Sequence, residues 1–462
     1  MGFRGFIISS VLVAFSGPLF CQQSTDTLLK EKVPVLSGFI RGGFYGDLKE
    51  NGDNPFISSE FADLGLKFEK KSDGGLFAFA DLRFRYGSEF TEPVSYANIR
   101  EAFVEFTVSK ISLSAGKRIV KWGRADFTNP TSRLNPQNYI SRSPDREDMD
   151  LGNIISTLNW YPSQKINLQA VVAPFYSPSV LIIDPVPLPE YVTIDQLPSI
   201  VTDEELFSYG LKADVHLRGV DLSASWFDGY DPMPGTSLDE FTADFSAPVP
   251  LLSASLKMKP YKIRVAGLDF ETSVGRTGLR GEAAWSQPRL SYNEYEYVPL
   301  PEIKWVAGID ASFGNLRITG EYSGKAVLDY APSPVDPLIG TEPDYSKLME
   351  LIMTPGFNLQ EYMRQQVGAF NRLYNYQLEK YYHSLGLRLE TDLLYGKVLP
   401  SLFAMYNFTS RDFLIMPEIR VKPSDGLTFT IGAEIYSGKK GSLYDIVDGF
   451  MTSIYVGLRA DF

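Results

Sequence analysis

The sequence predicts an all-β fold: a transmembrane, antiparallel, up-and-down β-barrel of about 18 strands with long extracellular loops, one of them partly helical. The last eleven residues, Thr452 to Phe462, alternate apolar and polar side chains, which is the pattern of a strand with two unlike faces. Similar strands recur along the chain in pairs that tight turns join. Beyond residue 21, no run of about eighteen apolar residues could form a spanning helix.

The amino terminus has the pattern of a secretory signal peptide, which we assign to residues 1–21. Arg4 supplies a positive charge ahead of an apolar run, Phe6 to Phe20, that is short for a membrane helix. The alternative is a lipoprotein acylated on Cys21, although the bulky Phe20 suits that modification poorly. Cys21 is the only cysteine, so cleavage after it leaves no disulfide and no cysteine-based metal site. Residues 22–34 would be a periplasmic segment and residues 35–462 the outer-membrane barrel.

The strands follow from the alternation and from the turns between them. Segments such as KKSDGG and GRTG interrupt the pattern where two strands would meet in a tight turn. An even strand number is expected of a single-chain bacterial barrel and puts the short turns at one rim and the long connections at the other. The segment Leu251–Lys259 also has strand character, but we expect it in a loop. The predicted strands are Gly38–Asp47, Ala62–Glu69, Leu76–Arg85, Ile99–Val108, Ile111–Trp122, Ile154–Tyr161, Ile166–Phe175, Phe207–Leu217, Val220–Phe227, Ile263–Val274, Leu279–Ser286, Ile303–Phe313, Leu316–Lys325, Leu385–Leu393, Val398–Tyr406, Phe413–Val421, Leu427–Tyr436 and Thr452–Phe462.

Charged side chains share one face of these strands. Between Leu76 and Arg85, apolar residues face one way while Asp81, Arg83 and Arg85 face the other. Lipid would cover the apolar face, whereas a soluble β-sandwich, the alternative, would bury it against a second sheet. A barrel of about 18 strands is too wide for side chains to fill, so the charged face would line an aqueous lumen unless loops plug it. The same charges could instead brace the wall as cross-strand ion pairs.

A cationic stretch, Ala115–Tyr139, breaks the regular pattern. The predicted strand runs into Trp122-Gly123, and two Asn-Pro steps, at residues 129–130 and 135–136, then exclude regular structure. The stretch resembles several poorly characterised families of bacterial outer-membrane barrels in which G-K-x-x-x-x-W-G precedes N-P; alginate-export-type and porin-like barrels look similar in organisation. The terminal Phe462 also resembles the signal that the assembly machinery of such barrels reads. By analogy with general porins, the resemblance implies a loop that folds inward and narrows the channel.

The charges of this loop suggest how it would act on a solute. We expect Arg118, Lys121, Arg124 and Arg133 to face Asp145, Glu147, Asp148 and Asp150, as opposed basic and acidic ladders that orient a polar solute. The alternatives are a solvated outer loop with self-paired charges, or calcium bound at Asp145–Asp150, although the spacing there departs from a calcium loop. The residues that we predict to line the pore or its constriction are Arg83, Arg85, Glu101, Glu105, Arg118, Lys121, Arg124, Arg133, Arg280, Glu282, Arg317, Glu321, Arg388 and Glu390.

Two other outer segments are unusually apolar. Ser179–Val201 is rich in proline and is expected to pack onto or into the barrel mouth. Tyr345–Met353 and Phe357–Tyr382 are predicted helices separated by Pro355-Gly356, each with an apolar stripe. The helices could cap the barrel and bury each other. Alternatively, they could form a hydrophobic lid that admits an apolar ligand.

Composition excludes several other functions. The net charge of −12 argues against a nucleic-acid partner, which would require a basic patch. The chain has two histidines, His216 and His383, and no His-x-x-x-His pair that would supply zinc ligands. His383 adjoins Ser384, but neighbouring residues of a strand point to opposite faces and cannot act as base and nucleophile. We expect no enzymatic activity, no cofactor and no metal site.

Together these features predict an outer-membrane channel of a Gram-negative bacterium through which small solutes diffuse. Both termini would be periplasmic and the long loops extracellular. The expected partners are outer-membrane lipid, the barrel-assembly machinery and an unidentified small solute. The alternatives are a gated transporter of hydrophobic compounds or lipids, and a surface scaffold that transports nothing.

Overall fold

The computed structural model describes residues 34–49, 56–181, 186, 188–202, 206–246, 251–339 and 345–462. The predicted signal peptide and all but the last residue of the segment 22–34 lie outside these ranges. The described chain forms one closed antiparallel barrel of 18 strands, with a separate three-stranded sheet at one rim. This confirms the predicted fold class and the strand number.

The strand boundaries follow the predicted ones closely, and most strands extend by a few residues. In chain order the strands are β1 (Val35–Asp47), β2 (Ile57–Lys71), β3 (Leu76–Glu89), β4 (Glu92–Val108), β5 (Ile111–Arg118), β6 (Asn153–Ser163), β7 (Ile166–Ala173), β8 (Val192–Asp195), β9 (Ser208–Leu217), β10 (Val220–Tyr230), β11 (Gly235–Asp244), β12 (Leu251–Lys259), β13 (Lys262–Val274), β14 (Thr277–Pro288), β15 (Glu302–Phe313), β16 (Leu316–Val327), β17 (Tyr381–Thr391), β18 (Val398–Asn407), β19 (Asp412–Ser424), β20 (Leu427–Ser437) and β21 (Ser453–Asp461).

Each barrel strand pairs with its neighbours in sequence, apart from the three strands that lie outside the barrel, and β1 closes the ring by pairing with β21. At this seam Gly38 and Phe462 exchange two backbone hydrogen bonds, of 2.8 and 3.0 Å. Eight short turns gather at one rim, which we call the short-turn rim. The nine remaining connections gather at the other, the long-loop rim.

The two faces of the wall differ as the alternation predicts. In β21 the outward Ile454 and Leu458 are 41% and 45% exposed, whereas the inward Ser453 and Tyr455 are 0% and 3% exposed. An apolar belt on the outside of a closed barrel is the surface that lipid covers. None of the helices in the described part of the chain is long and apolar enough to cross a membrane.

Two predictions about the barrel wall were wrong. Strand β5 ends at Arg118 rather than at Trp122, because the chain leaves the wall there and turns inward. Strands β3 and β4 each extend beyond the predicted ends and meet in a two-residue turn at Phe90 and Thr91, whose φ angles are 50° and 68°. One connection that was expected to be a long outer loop is therefore a tight hairpin.

At the long-loop rim, β8, β11 and β12 form the small sheet, and the predicted helices are α1 (Tyr345–Ile352) and α2 (Leu359–Tyr374). Leu251–Lys259 is thus outside the barrel, as expected, but is a strand. Helix α2 begins after Asn358, whose side chain accepts from the backbone N–H of Glu361. It ends at Tyr374 rather than Tyr382, because β17 already begins at Tyr381.

Among the described side chains, the apolar stripe of α2 packs against this sheet rather than against α1. Met363 and Val367 are 2% and 0% exposed and pack with Leu238 and Leu256. The buried Asn371 joins the helix to β11, since its amide accepts from the backbone N–H of Thr236 and donates to the carbonyl of the same residue, at 2.8 and 2.7 Å. Helix, sheet and loops thus form a cap at the long-loop rim.

Candidate functional site

Residues 119–152 leave the wall after β5 and enter the barrel; we call them the inward loop. Asn135 holds the two ends of the loop together at the wall. Its side-chain oxygen accepts from the backbone N–H of Val120 at 2.7 Å, and its amide donates to the carbonyls of Arg118 and Leu151 at 2.9 and 3.1 Å. The second Asn-Pro step of the sequence thus closes the base of the loop.

The Trp122-Gly123 pair directs the first half of the loop. Trp122 is 1% exposed, and its indole N–H donates to Gln169 on β7 at 2.7 Å. Gly123 has a φ of +83°, and a Cβ atom there would overlap with the side chains of Asn129 and Glu282. A left-handed backbone and this close approach both require glycine.

The first half of the loop is cationic and meets an acidic wall. The Arg124 guanidinium lies 2.7 Å from Asp269 and 3.3 Å from Glu271, both on β13. Glu282 on β14 accepts from the backbone N–H groups of Arg124 and Thr131, at 3.1 and 2.6 Å. Arg133 lies 3.4 Å from Asp231, at the long-loop end of β10.

Farther into the lumen the loop reaches the opposite wall. One carboxylate, Glu321 on β16, accepts from three consecutive backbone N–H groups, those of Asp126, Phe127 and Thr128, at 2.8, 3.1 and 2.8 Å. The Phe127 ring packs edge-on against Phe403 of β18, with 4.9 Å between the ring centroids. The loop therefore spans the lumen rather than lining one side of it.

At the same place two further cations approach this aromatic pair. The Arg388 guanidinium lies 4.9 Å from the centre of the Phe127 ring, and that of Arg146 lies 4.3 Å from the centre of the Phe403 ring. Arg280 on β14 contributes a 2.8 Å ion pair with Asp126 of the loop. These contacts gather three arginines at the far end of the loop.

The second half of the loop is acidic and meets a basic wall. Arg41 on β1 is 3% exposed and donates to Asp145 and Asp148 at 2.9 and 2.7 Å. Arg459 on β21 also lies 2.7 Å from Asp145. Burial would raise the pKa of Asp148, but the Arg41 charge and the hydrogen bonds of the carboxylate outweigh that effect and hold the pKa below its usual value.

This geometry corrects the predicted ladders. Lys121 and Asp150 do face each other, at 2.5 Å. Arg118 instead pairs with Glu105 on β4 at 2.7 Å. Arg124, Arg133, Asp145 and Asp148 pair with the wall as described above, whereas Glu147 meets the wall through its backbone carbonyl, which accepts from Arg100 at 2.6 Å. Asp145 and Asp148 both bind Arg41, and Asp150 binds Lys121, so protein cations neutralise these three carboxylates. Among the described residues no cluster of three or more acidic, histidine or cysteine side chains could hold a metal.

The remaining predicted residues also lie on the inner wall. Glu101 accepts from the backbone N–H of Ile119 at 2.8 Å, where the loop begins. Arg83 and Arg85 bind Asp81 and Asp63, at 2.6 Å in both cases. Arg317 and Glu390 are register neighbours on β16 and β17, and neither makes such a bond in the described part of the chain.

A cavity of about 600 Å³ lies between the inward loop and strands β1 to β5, and residues 177–181, Gln196, Leu197, Ser199 and Ile200 also line it. Its lining includes Arg83, Arg85 and Asp148, and also Arg100 and Lys117, which the sequence did not single out as pore-lining. Arg100 is unpaired in the ladder between β3 and β4, where the register shifts. This bulge turns the side chain toward Asp81, at 3.5 Å, and strict alternation could not have predicted it.

No protein-family model matches the chain, and no curated protein matches it either. Among solved structures, the chain is similar to OccK8 (OprE) of Pseudomonas aeruginosa, with a TM-score of 0.53 and 11% sequence identity over 93% of this chain and 98% of that one. It is also similar to OccAB1 of Acinetobacter baumannii, with a TM-score of 0.52 and 9% identity over 93% and 96% of the two chains. OccAB2 of the same organism gives a TM-score of 0.51 and 11% identity over 93% and 98%. At such low identity these likenesses establish the barrel fold alone.

Proposed function

We propose that the protein is an outer-membrane channel through which small polar solutes diffuse. The observation that carries the proposal is a closed barrel, apolar outside, whose lumen is crossed by a charged loop that ion pairs and hydrogen bonds attach to the wall on both sides. In this proposal the loop narrows a wide barrel and leaves an aqueous path beside it. The cavity of about 600 Å³ is large enough for a small solute on that path.

The charges along the path favour polar solutes over apolar ones. Five cations of the wall, Arg41, Arg83, Arg85, Arg100 and Lys117, line the cavity with three acids, Asp63, Glu89 and Asp148. At the far end of the loop, Arg388 and Arg146 lie against aromatic rings. Fixed charges in a narrow, low-dielectric passage select solutes through the local potential.

Planar-bilayer recording tests the proposal. The purified, folded protein should insert and give discrete conductance steps. Replacing Arg118, Lys121 and Arg124 together with alanine should shift the reversal potential in a salt gradient toward cation selectivity. The matched control is Arg218→Ala with Arg276→Ala, which removes cations from short turns outside the constriction. A folded protein without conductance would contradict the channel and favour a surface scaffold; an unchanged reversal potential would place the three cations outside the ion path.

The proposed orientation has periplasmic termini and an extracellular long-loop rim. In a barrel, strand parity fixes the side of every connection. A tag inserted at Asn293 or Asp336 should therefore be labelled on intact cells, whereas one at Asp73 or Asp425 should not. Labelling at Asp425 without labelling at Asn293 would invert the orientation.

A channel for hydrophobic compounds is less well supported. That alternative requires the apolar stripe of the second helix to be available to a ligand. Met363 and Val367 are instead buried against the small sheet of the cap. Neither histidine lies in a catalytic arrangement. His383 faces outward, with its Nδ1 2.7 Å from the Tyr322 hydroxyl, and His216 pairs with Asp221 at the short-turn rim.

A further inference from the structure

A group of cations on the outward face of the barrel has no role in the lumen. On β13 the inward Asp269 binds the inward loop, and the outward Leu268 and Phe270 are 64% and 42% exposed. Because side chains alternate along a strand, Arg264 and Lys262 emerge on the same face as Leu268. Arg289, which follows β14 and donates its backbone N–H to the carbonyl of Lys262, completes the group. We call Lys262, Arg264 and Arg289 the outer-face cations.

These cations lie where the apolar belt ends. The outward Val274 is 65% exposed at the short-turn end of the same strand. Ten residues separate it from Arg264, which is ~33 Å along a strand and ~25 Å in height at the usual tilt of a membrane barrel. That height is about the thickness of the lipid-facing band, so Arg264 reaches the level of the lipid headgroups at the long-loop rim.

An aromatic row directly below supports this placement. In the register of the wall, Ala266 lies between Trp226 of β10 and Trp285 of β14. Arg264 is the next outward residue toward the long-loop rim. Tryptophans collect at the interface between hydrocarbon and headgroups, and cations just beyond such a row face the phosphates.

The local charge is positive although one acid is present. Asp228 is 2% exposed and lies 3.4 Å from Arg264, and it also pairs with Arg289. A single carboxylate thus holds two guanidiniums side by side on the surface. The Lys262 ammonium lies 5.3 Å from the centre of the Tyr230 ring. The three outer-face cations and Asp228 together carry a net charge of +2.

We propose that the outer-face cations bind the phosphate of a membrane lipid in the leaflet that meets the long-loop rim. Arginine pairs with phosphate through two parallel N–H donors, and the carboxylate of Asp228 orients the guanidiniums for this contact. A lipid is favoured over a soluble phosphate because the group is continuous with the lipid-facing belt rather than with the lumen. The inference rests on the proposed membrane location, but not on conduction.

The test measures how tightly the purified full-length protein in detergent binds diphosphoryl lipid A, with the fully dephosphorylated lipid as the comparison probe. Native mass spectrometry reports the bound fraction. The double variant Lys262→Gln/Arg264→Gln keeps the Arg289–Asp228 pair, and should bind the phosphorylated lipid about 25-fold more weakly, at about fivefold per cation near a charged surface. The matched control is Arg218→Gln/Arg276→Gln, which removes two cations from the short turns that end β9 and β13; its binding should equal that of the natural protein.

Equal binding of the two lipids, or an unchanged affinity of the double variant, would overturn the proposal. Displacement of the lipid by millimolar inorganic phosphate would overturn its assignment to a lipid. Should the double variant fail to fold, the single variant Lys262→Gln carries the test with an expected loss of about fivefold. Bilayer conductance of the same preparations separates the two proposals, because these residues face lipid and the double variant should conduct normally.

Discussion

Glu321→Ala is the substitution that most directly tests how the inward loop is attached. In the natural chain this one carboxylate accepts from the backbone N–H groups of Asp126, Phe127 and Thr128. A hydrogen bond to a charged group contributes about 1.5–3 kcal/mol. Water in the lumen would replace part of this, so we expect a loss of about 3 kcal/mol in the free energy that holds the far end of the loop. A loss of that size raises the detached population by about two orders of magnitude.

Two measurements report whether the far end of the inward loop has detached from the wall. Hydrogen exchange of residues 126–128 should accelerate by roughly the same two orders of magnitude, because these backbone N–H groups lose their acceptor. Single-channel records should show added steps to higher conductance. The barrel itself should remain folded, since its ladders are untouched.

Glu390→Ala is the matched control. Glu390 faces the lumen on the next strand and makes no hydrogen bond to the inward loop in the described part of the chain. Its removal should leave exchange in residues 126–128 unchanged. The reasoning would be refuted if the Glu321 variant exchanged and conducted like the natural protein, because the loop would then be held by other contacts.

Three further perturbations probe the loop and the cap. Gly123→Ala puts a side chain at a φ of +83° and into Glu282, so it should destabilise the seated loop by about 1–3 kcal/mol, seen as faster proteolysis between residues 119 and 152. Asn371→Ala leaves the buried backbone of Thr236 without its partner, and should accelerate exchange in the second helix by a factor that corresponds to about 1–3 kcal/mol, with no change in conductance. Because the pKa of Asp148 is depressed, its pair with Arg41 contributes fully above about pH 4 and is lost as the pH falls below that range. The protection of residues 139–150, taken relative to the intrinsic exchange rate at each pH, should therefore be unchanged from pH 7 to 5 and fall toward pH 3, whereas Asp148→Asn should show low protection already at pH 7.

The barrel could be predicted from the sequence because each strand carries its own evidence. Alternating apolar and polar residues in a strand such as Ser453–Asp461 reflect the two faces of that strand alone. A tight turn between two such segments then places the second strand beside the first. A periodic pattern cannot predict the places where a strand departs from alternation. The bulge at Arg100 reverses the face of one residue, and the extension of β3 to Glu89 replaces an expected long loop.

The pairing of the inward loop could not be predicted, because it depends on contacts between distant parts of the chain. Arg124 and Asp269 are 145 residues apart, and Arg41 and Asp148 are 107 residues apart. The sequence shows that the loop is basic first and acidic later, which allows self-pairing or pairing with the wall. The closed barrel selects pairing with the wall, because it places acids of β13 beside the basic first half of the loop. It also places arginines of β1 and β21 beside the acidic second half.

The loop and the cap consequently rest on different interactions. The loop is held by charges and backbone hydrogen bonds, most of them shielded from solvent, whereas the second helix is held by the apolar contacts of Met363 and Val367. Added salt screens exposed charges far more than buried ones, and it does not weaken apolar packing. Lys121, whose side chain is 62% exposed, makes a salt-sensitive contact of the loop, while the Arg41 side chain, at 3% exposure, is shielded. We therefore expect the inward loop to keep its place in the barrel over a wide range of ionic strength.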